Sequence, residues 1–438
     1  MTAYRFRAVS GVVLFLVLSF AVLALGAVDP WALTVVQLLA FLLAAVWTLR
    51  AALGNTGLVW DPFFAPLGVV VAWSAAQARW GLSIDSYRSA AEALKWLALA
   101  LLYLVARQVF TDHSIRRNFT LALMWLGFVV SLLGIIQHFG APGRIYWSMP
   151  VLTGRPFGSF INANHFAAWI ELLIPAALLA ATRRSEQQLI YVAVCGTMLM
   201  AVIATNSRAG IVLVAAQTLI VMGAEAWRAR QGGRRPWPAL VGVAAVAGMV
   251  LLVLKGPAAF HFAEERPYAV RWAVAQATWG LFLDRPWTGF GAGTFDQVYP
   301  SAAPFDMGLF WAHAHNDPVQ FAMEWGVPGL AALAAMVVLL LRRRWPLEVW
   351  LRTILPAMTA LAHSWVDFPL QIPAVTATWL VTVAMLPSGP LPEARQPLGR
   401  AGQDPHLHPN SRSLATLGMT GLRSDDRATL GMTGLRSG

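Results

Sequence analysis

Long apolar runs, each close to twenty residues and separated by short polar connectors, dominate this chain from its first residues to about position 386. Crossing about 30 Å of hydrocarbon takes roughly twenty helical residues, so each run reads as a membrane span. The runs predict about twelve helices, near 10–27, 31–49, 62–78, 90–107, 118–138, 162–181, 188–205, 209–226, 238–254, 318–341, 347–363 and 368–386. An all-α polytopic membrane protein follows. Two polar excursions exceed a turn, 139–161 and the larger 255–317. The larger carries Tyr268, Trp272, Trp279, Phe282, Trp287, Phe290 and Phe295, too many aromatics for a solvated linker. Residues 264–283 read as an amphipathic helix lying along the membrane surface. Pro286-Trp-Thr-Gly289-Phe-Gly291-Ala-Gly293 marks a tight turn after it.

Composition agrees: 58% of the residues are hydrophobic and 12% charged, and the mean hydropathy is +0.59. Soluble domains carry about twice that charged share. The formal charge of +11 is topological, so nucleic acid is excluded as a partner. Arg5, Arg7, Arg50, Arg107, Arg116, Arg117, Arg183, Arg184, Arg228, Arg230, Arg234, Arg235, Arg342, Arg343 and Arg344 all fall on one side of the twelve-span arrangement. The positive-inside rule makes that side cytoplasmic, with both termini inside. The first run then reads as a signal anchor. Trp31, Trp60, Trp80, Trp147, Trp311 and Trp345 sit near span ends, as an aromatic belt requires. The single Cys195 lies within a span, which excludes a disulfide framework. After residue 386 the chain turns rich in Pro, Gly and Ser, and reads as a disordered cytoplasmic tail, 387–438. In it, Ala415 to Ser424 recurs word for word as Ala428 to Ser437, too few units for a solenoid.

Candidate chemistry gathers on the extracytoplasmic face. His315-Asn316 stands at the mouth of the tenth span, in His-Asn-Asp-Pro-Val-Gln-Phe-Ala-Met-Glu-Trp-Gly326-Val-Pro-Gly329. Asn316 or Asp317 can cap this helix, with Pro318 in its first turn, which frees the imidazole to take a proton near neutral pH. His313 competes with His315 for that role. Glu324 shares roughly their helical face and can orient the histidine or pair with an arginine. Gly326 and Gly329 read as close-packing positions. Three arginines break the topological pattern: Arg208 at a span start, and Arg266 and Arg271 in the large excursion. Snorkelling accounts for Arg208, and surface pairing with Glu264, Glu265 or Asp284 accounts for the other two. The alternative is a guanidinium clamp on phosphate oxygens, hence a phosphorylated lipid substrate. No Cys/His/carboxylate cluster of ligand spacing accompanies His313 and His315, so no metal and no cofactor are expected.

His315-Asn316 with Gly326 and Gly329, Arg271 followed by Asp284-Arg-Pro286 and Gly289-Phe-Gly291, Ser207-Arg208-Ala-Gly210, and Gly158-Ser-Phe-Ile-Asn-Ala-Asn164 together resemble the O-antigen ligase/polymerase family of bacterial envelopes, over roughly residues 1–386. The resemblance implies a GT-C-like inner-membrane glycosyltransferase. It would act without a metal at the periplasmic face on a glycan carried by undecaprenyl diphosphate. It implies catalysis by His315 and diphosphate binding by Arg208 and Arg271; Asn164 matches a motif position without an assigned role, and Arg266, Asn316, His313, Glu324 and Asn164 stand as supporting candidates. The acceptor would be lipid A-core or a growing polysaccharide. Ligase and polymerase readings both stand, as does transport of a small solute such as inorganic carbon. A transporter would carry repeats and broken helices around a midplane site, and no half-to-half similarity is visible.

Overall fold

In the computed structural model, residues 2–54, 57–152, 154–182, 186–233, 235–255, 266–304 and 310–387 are described, the side chains of 255, 266 and 267 excepted. Leu391–Gly438 forms a unit of its own; it lies outside the described residues, as does the repeat expected there.

The helices are α1 (Ala3–Leu23), α2 (Pro30–Ala52), α3 (Phe64–Arg79), α4 (Ser86–Val109), α5 (His113–Gly140), α6 (Ala163–Glu171), α7 (Ile174–Thr182), α8 (Gln188–Ala204), α9 (Arg208–Gln231), α10 (Trp237–Lys255), α11 (Arg266–Asp284), α12 (Asp317–Leu341), α13 (Leu355–His363) and α14 (Pro373–Ala384). A two-residue antiparallel pair, Arg144–Ile145 with Met149–Pro150, closes the loop after α5. Among the described residues seven helices are long and apolar enough to cross a membrane: α1, α2, α4, α5, α9, α10 and α12. The bent pair α6–α7 makes an eighth, and α8 and α14 are apolar but shorter. Hydrophobic side chains cover the outside as well as the core, with Leu38, Leu42, Val243 and Leu254 all more than half exposed, as a lipid-facing surface requires.

Three expected boundaries shift for local reasons. The span predicted at 162–181 is two helices meeting at 47°. Pro175 lacks an N–H, and its ring would strike the carbonyl of Glu171 in a continuous helix. The first span ends at Leu23, because the short 3-10 turn Leu25–Ala27 contains Gly26 at φ 76°. The last begins at Pro373 instead of 368, after a 3-10 turn at Pro369–Gln371.

A further break shapes the site. α12 is interrupted at Gly326 (φ 64°, ψ −160°), two residues before Pro328. Backbone groups opened inside a membrane must find partners in the protein. The 286–293 turn supplies them. Phe290 N donates to Met323 O (3.0 Å), Gly291 N to Glu324 O (3.0 Å), and Val327 N to Pro286 O (2.8 Å). Gln77 of α3 donates to both Glu324 O (2.8 Å) and Thr288 O (2.7 Å), while Trp73 Nε1 donates to Trp325 O (2.8 Å). Gly326 is both the break in the helix and a close-packing position, where a Cβ would lie 2.7 Å from Pro286 O; at Gly329 a Cβ would lie 2.3 Å from Trp325 Cβ. The turn approaches so closely that a Cβ on Gly289, itself at φ 65°, would stand 2.3 Å from Glu324 O. Gly289→Ala combines a left-handed L-residue with overpacking against immobile backbone. It should destabilise the fold by about 2–4 kcal/mol, read as a drop in the thermal unfolding midpoint of the detergent-purified protein; an unchanged midpoint would refute the closure described.

Candidate active site

Four element ends meet at one cavity: the starts of α6, α9 and α11, and the segment following α13. Local sequence fixes each. Asn162 caps α6 by accepting from Asn164 N (2.9 Å), and Ser207 caps α9 by accepting from Gly210 N (3.3 Å). Gly210 lets α9 approach α6, since a Cβ there would lie 2.7 Å from Ala167 Cβ. Asn316 caps α12 through Val319 N (3.1 Å), leaving its amide to donate to Trp365 O (2.8 Å). Asp317 N donates to Ser364 O (2.8 Å), and Asp317 Oδ2 accepts from Leu370 N (2.9 Å). The first residues of α12 thus bind the 364–370 segment along its length, which sets Asp367 beside His315.

Asp367 is the hub, and the sequence reading missed it. Its carboxylate lies 3.0 Å from His315 Nδ1 and 3.5 Å from Arg271 Nη1, and accepts from Asn164 Nδ2 at 2.6 Å. The side chain is only 2% exposed. Burial alone would raise its pKa, but the Arg271 guanidinium and the His315 hydrogen bond outweigh burial and hold the carboxyl well below the usual carboxylate range. An ionised Asp367 can only accept, so His315 carries a proton on Nδ1. His315 sits at φ 53°, left-handed backbone that an L-residue adopts only under local constraint.

The cavity measures about 280 Å³ and is lined by Arg155, Arg208, Arg271, Tyr268, His363 and Asp367 among others. Asn206, Ser207, Arg208 and Ala209 also line it, so the amino end of α9, a ready anion site, faces in. Arg208 lies over the Tyr268 ring at 4.6 Å. Arg271 also donates to Val366 O at 2.9 Å. Burial, then the charges of Arg271 and Arg208, push the Arg155 guanidinium below its ordinary pKa. Three guanidiniums thus stand close together at this cavity.

Of the residues singled out from sequence, His315, Arg208, Arg271 and Asn164 converge on this network, with Asn316 holding the frame. His315 reaches the cavity through Asp367. The side chain of Arg266 lies outside the described residues, as do Glu264 and Glu265. Arg271 pairs with Asp367, not with Asp284. His313 stands apart: its ring stacks on Phe368 at 4.3 Å and its Nδ1 accepts from Gln320 Nε2 at 3.2 Å. Burial and the Lys95 charge push its pKa down to about 3, so it stays neutral. Glu324 neither orients His315 nor pairs with an arginine; it accepts from Gln320 Nε2 (2.9 Å) and Gly293 N (3.1 Å). Arg155 escaped sequence reading because it stands just before the Gly158–Asn164 motif and not in it; its place in the 139–161 excursion was the available signal. Among the described residues no group of three His, Cys, Asp or Glu side chains is placed to hold a metal ion.

Asp367 makes a pH-resolved prediction. A carboxyl whose folded pKa lies below its unfolded value stabilises fully above the unfolded value, near 3.8, and loses that contribution as pH falls through the folded one. Asp367→Asn should cost about 3 kcal/mol. The gap in unfolding midpoint between it and the parent protein should hold steady down the pH scale and narrow only below the ordinary carboxylate range. A gap that closes near neutral pH would mean Asp367 is not held ionised.

Residues 193–334 match a family model described as O-antigen ligase, a stretch running from α8 into α12 and containing Arg208, Arg271 and His315. The matched stretch is about a third of the chain. No curated protein matches the chain. Arg155, Asn164 and Asp367 lie outside the matched stretch.

Proposed function

Starting from the O-antigen ligase family, we propose that this bacterial membrane protein is a GT-C-like glycosyltransferase. It transfers a glycan from undecaprenyl diphosphate to an acceptor hydroxyl at the periplasmic face of the inner membrane. The observation that carries the reading is the grouping of Arg155, Arg208 and Arg271 around one cavity, edged by an imidazole–carboxylate pair. A diphosphate fits that charge. Guanidinium forks match phosphate oxygens in geometry as well as sign, and the amino end of α9 adds backbone donors.

In the proposed reaction the acceptor hydroxyl gives its proton to His315 Nε2, while Asp367 steadies the imidazolium that results. The hydroxyl oxygen bonds to the anomeric carbon on the face opposite the diphosphate. The bond from that carbon to the phosphate oxygen breaks, and its electron pair stays with the diphosphate. Arg155, Arg208 and Arg271 hold the charge that develops there. Configuration inverts, and the proton on His315 passes to solvent. The positive charge required at the leaving group comes from these side chains, so the step is written without a metal.

The positive-inside rule supports the periplasmic placement: Arg107, Arg116, Arg342 and Arg343 line a cavity at the other end of α12 from His315. The acceptor is lipid A-core for a ligase or a growing polysaccharide for a polymerase. A transport reading is disfavoured because the cavity lies at helix ends and not at mid-depth.

His315→Ala should abolish glycan transfer in cells while the protein remains inserted and folded, and Asp367→Asn should lower transfer by about 10²–10⁴-fold, the range of general-base catalysis. Arg155→Ala should cost roughly 10–150-fold, one charge-assisted hydrogen bond. Full transfer by the His315 variant would remove it from the mechanism. A glycan ladder from a deletion strain separates the two acceptors. Undecaprenyl-linked polymer accumulating without long chains on the core marks a ligase; accumulating single repeats mark a polymerase.

A further inference from the structure

One buried titratable pair at the cavity takes no part in the proposed proton transfer. His363, the last residue of α13, lines the cavity, as do Arg271 and Asp367. Its Nδ1 lies 2.7 Å from Oε1 of Glu171, the last residue of α6, and the two side chains are 1% and 0% exposed. Glu171 Oε2 is buried without a hydrogen-bond partner. Among the described residues His363 is the one cation-forming group paired with Glu171. His363 Nε2 makes no hydrogen bond among the described residues, yet it is not shut away as the Nε2 of His165 is. The cavity is what it opens on.

Electroneutrality decides where the protons of this pair sit. An ionised Glu171 beside a neutral His363 would be an uncompensated buried charge with one oxygen unbonded, a costly arrangement. Two net-neutral arrangements keep the 2.7 Å bond. Either an imidazolium donates from Nδ1 to the carboxylate, or a carboxylic acid donates from Oε1 to Nδ1. Both leave a proton on Nε2. A carboxyl proton on Oε2 would instead be a buried donor with no acceptor. The carboxyl end of α13 favours the imidazolium of the two. His315 is under no such constraint, because Arg271 already offsets the charge of Asp367.

We propose that His363 Nε2–H donates a hydrogen bond to a phosphate oxygen of the diphosphate, and that Glu171 is the positioning residue that keeps the proton there. The proposal rests on the glycosyl-transfer reading of the cavity. It adds a fixed donor on the α13 wall to the guanidinium forks of Arg155, Arg208 and Arg271.

The test titrates the full-length protein in detergent with undecaprenyl diphosphate carrying no glycan, followed by isothermal titration calorimetry. Glu171→Leu with His363→Phe replaces the pair by apolar side chains of similar volume, a change that buried pairs often tolerate, and its thermal unfolding midpoint checks the fold. This double variant should bind about tenfold or more weakly than the parent, the loss of one hydrogen bond to a charged group. In the parent protein labelled with 15N-histidine, the His363 signal, identified by its loss in His363→Gln, should show a protonated Nε2. Equal affinity of the parent and the folded double variant, or an unprotonated Nε2, overturns the proposal and leaves the reading of the cavity standing. A parent protein that does not bind undecaprenyl diphosphate overturns both.

Discussion

A single buried carboxylate organises the end of this protein where α6, α9 and α11 begin. Asp367 binds an imidazole from the start of α12, a guanidinium from α11 and an amide from α6. Such a group is tolerable in a low-dielectric setting only if its charge is matched and its lone pairs are filled. Both conditions are met, and meeting them brings three distant segments to one point. Without Asp367, Arg271 would lose the carboxylate it pairs with beside Arg155 and Arg208, and His315 would lose the partner that sets its tautomer.

The carboxylate can do this because the framework beneath it is rigid. Breaking α12 at Gly326 frees Met323 O and Glu324 O, and the 286–293 turn binds them. That turn follows directly from α11, so the requirement to satisfy broken-helix backbone also anchors the helix that carries Arg271. Packing completes the join: Val274, Leu281 and Phe282 of α11 cluster with Ala322 and Met323 of α12, and with Phe295 and Tyr299 between them. Backbone satisfaction in one span thereby positions a charged side chain at the membrane surface.

The helices and half of the site were legible in the residues, and the reasons differ. Spans announce themselves because hydrocarbon thickness imposes a length, a strong local constraint. His315, Arg208 and Arg271 stood out because an ionisable group at such a boundary is costly without a role. Asp367 and Arg155 did not, since their meaning comes from partners far along the chain; Asn164 and Asp367 are 203 residues apart. No periodicity reports such a contact. Spacing along one helix also misled: Glu324 shares a face with His315, yet the turn at Gly293 and the Gln320 amide claim its oxygens. The bend between α6 and α7 was written in Pro175, but hydropathy alone passes over it.

The crowding of like charge has a consequence for the proposed catalysis. Burial, then the nearby charges of Arg271 and Arg208, make Arg155 less basic than usual, so the three guanidiniums are close enough to act on one ligand. Asp367 offsets part of their charge, and a bound diphosphate would offset more. As the glycosidic bond breaks, the diphosphate gains negative charge on the oxygen that leaves. The same three groups then interact more strongly with the departing anion than with the intact donor. Only interactions that strengthen toward the transition state accelerate a reaction, and preorganised cationic groups in a partly desolvated cavity are well suited to supply them.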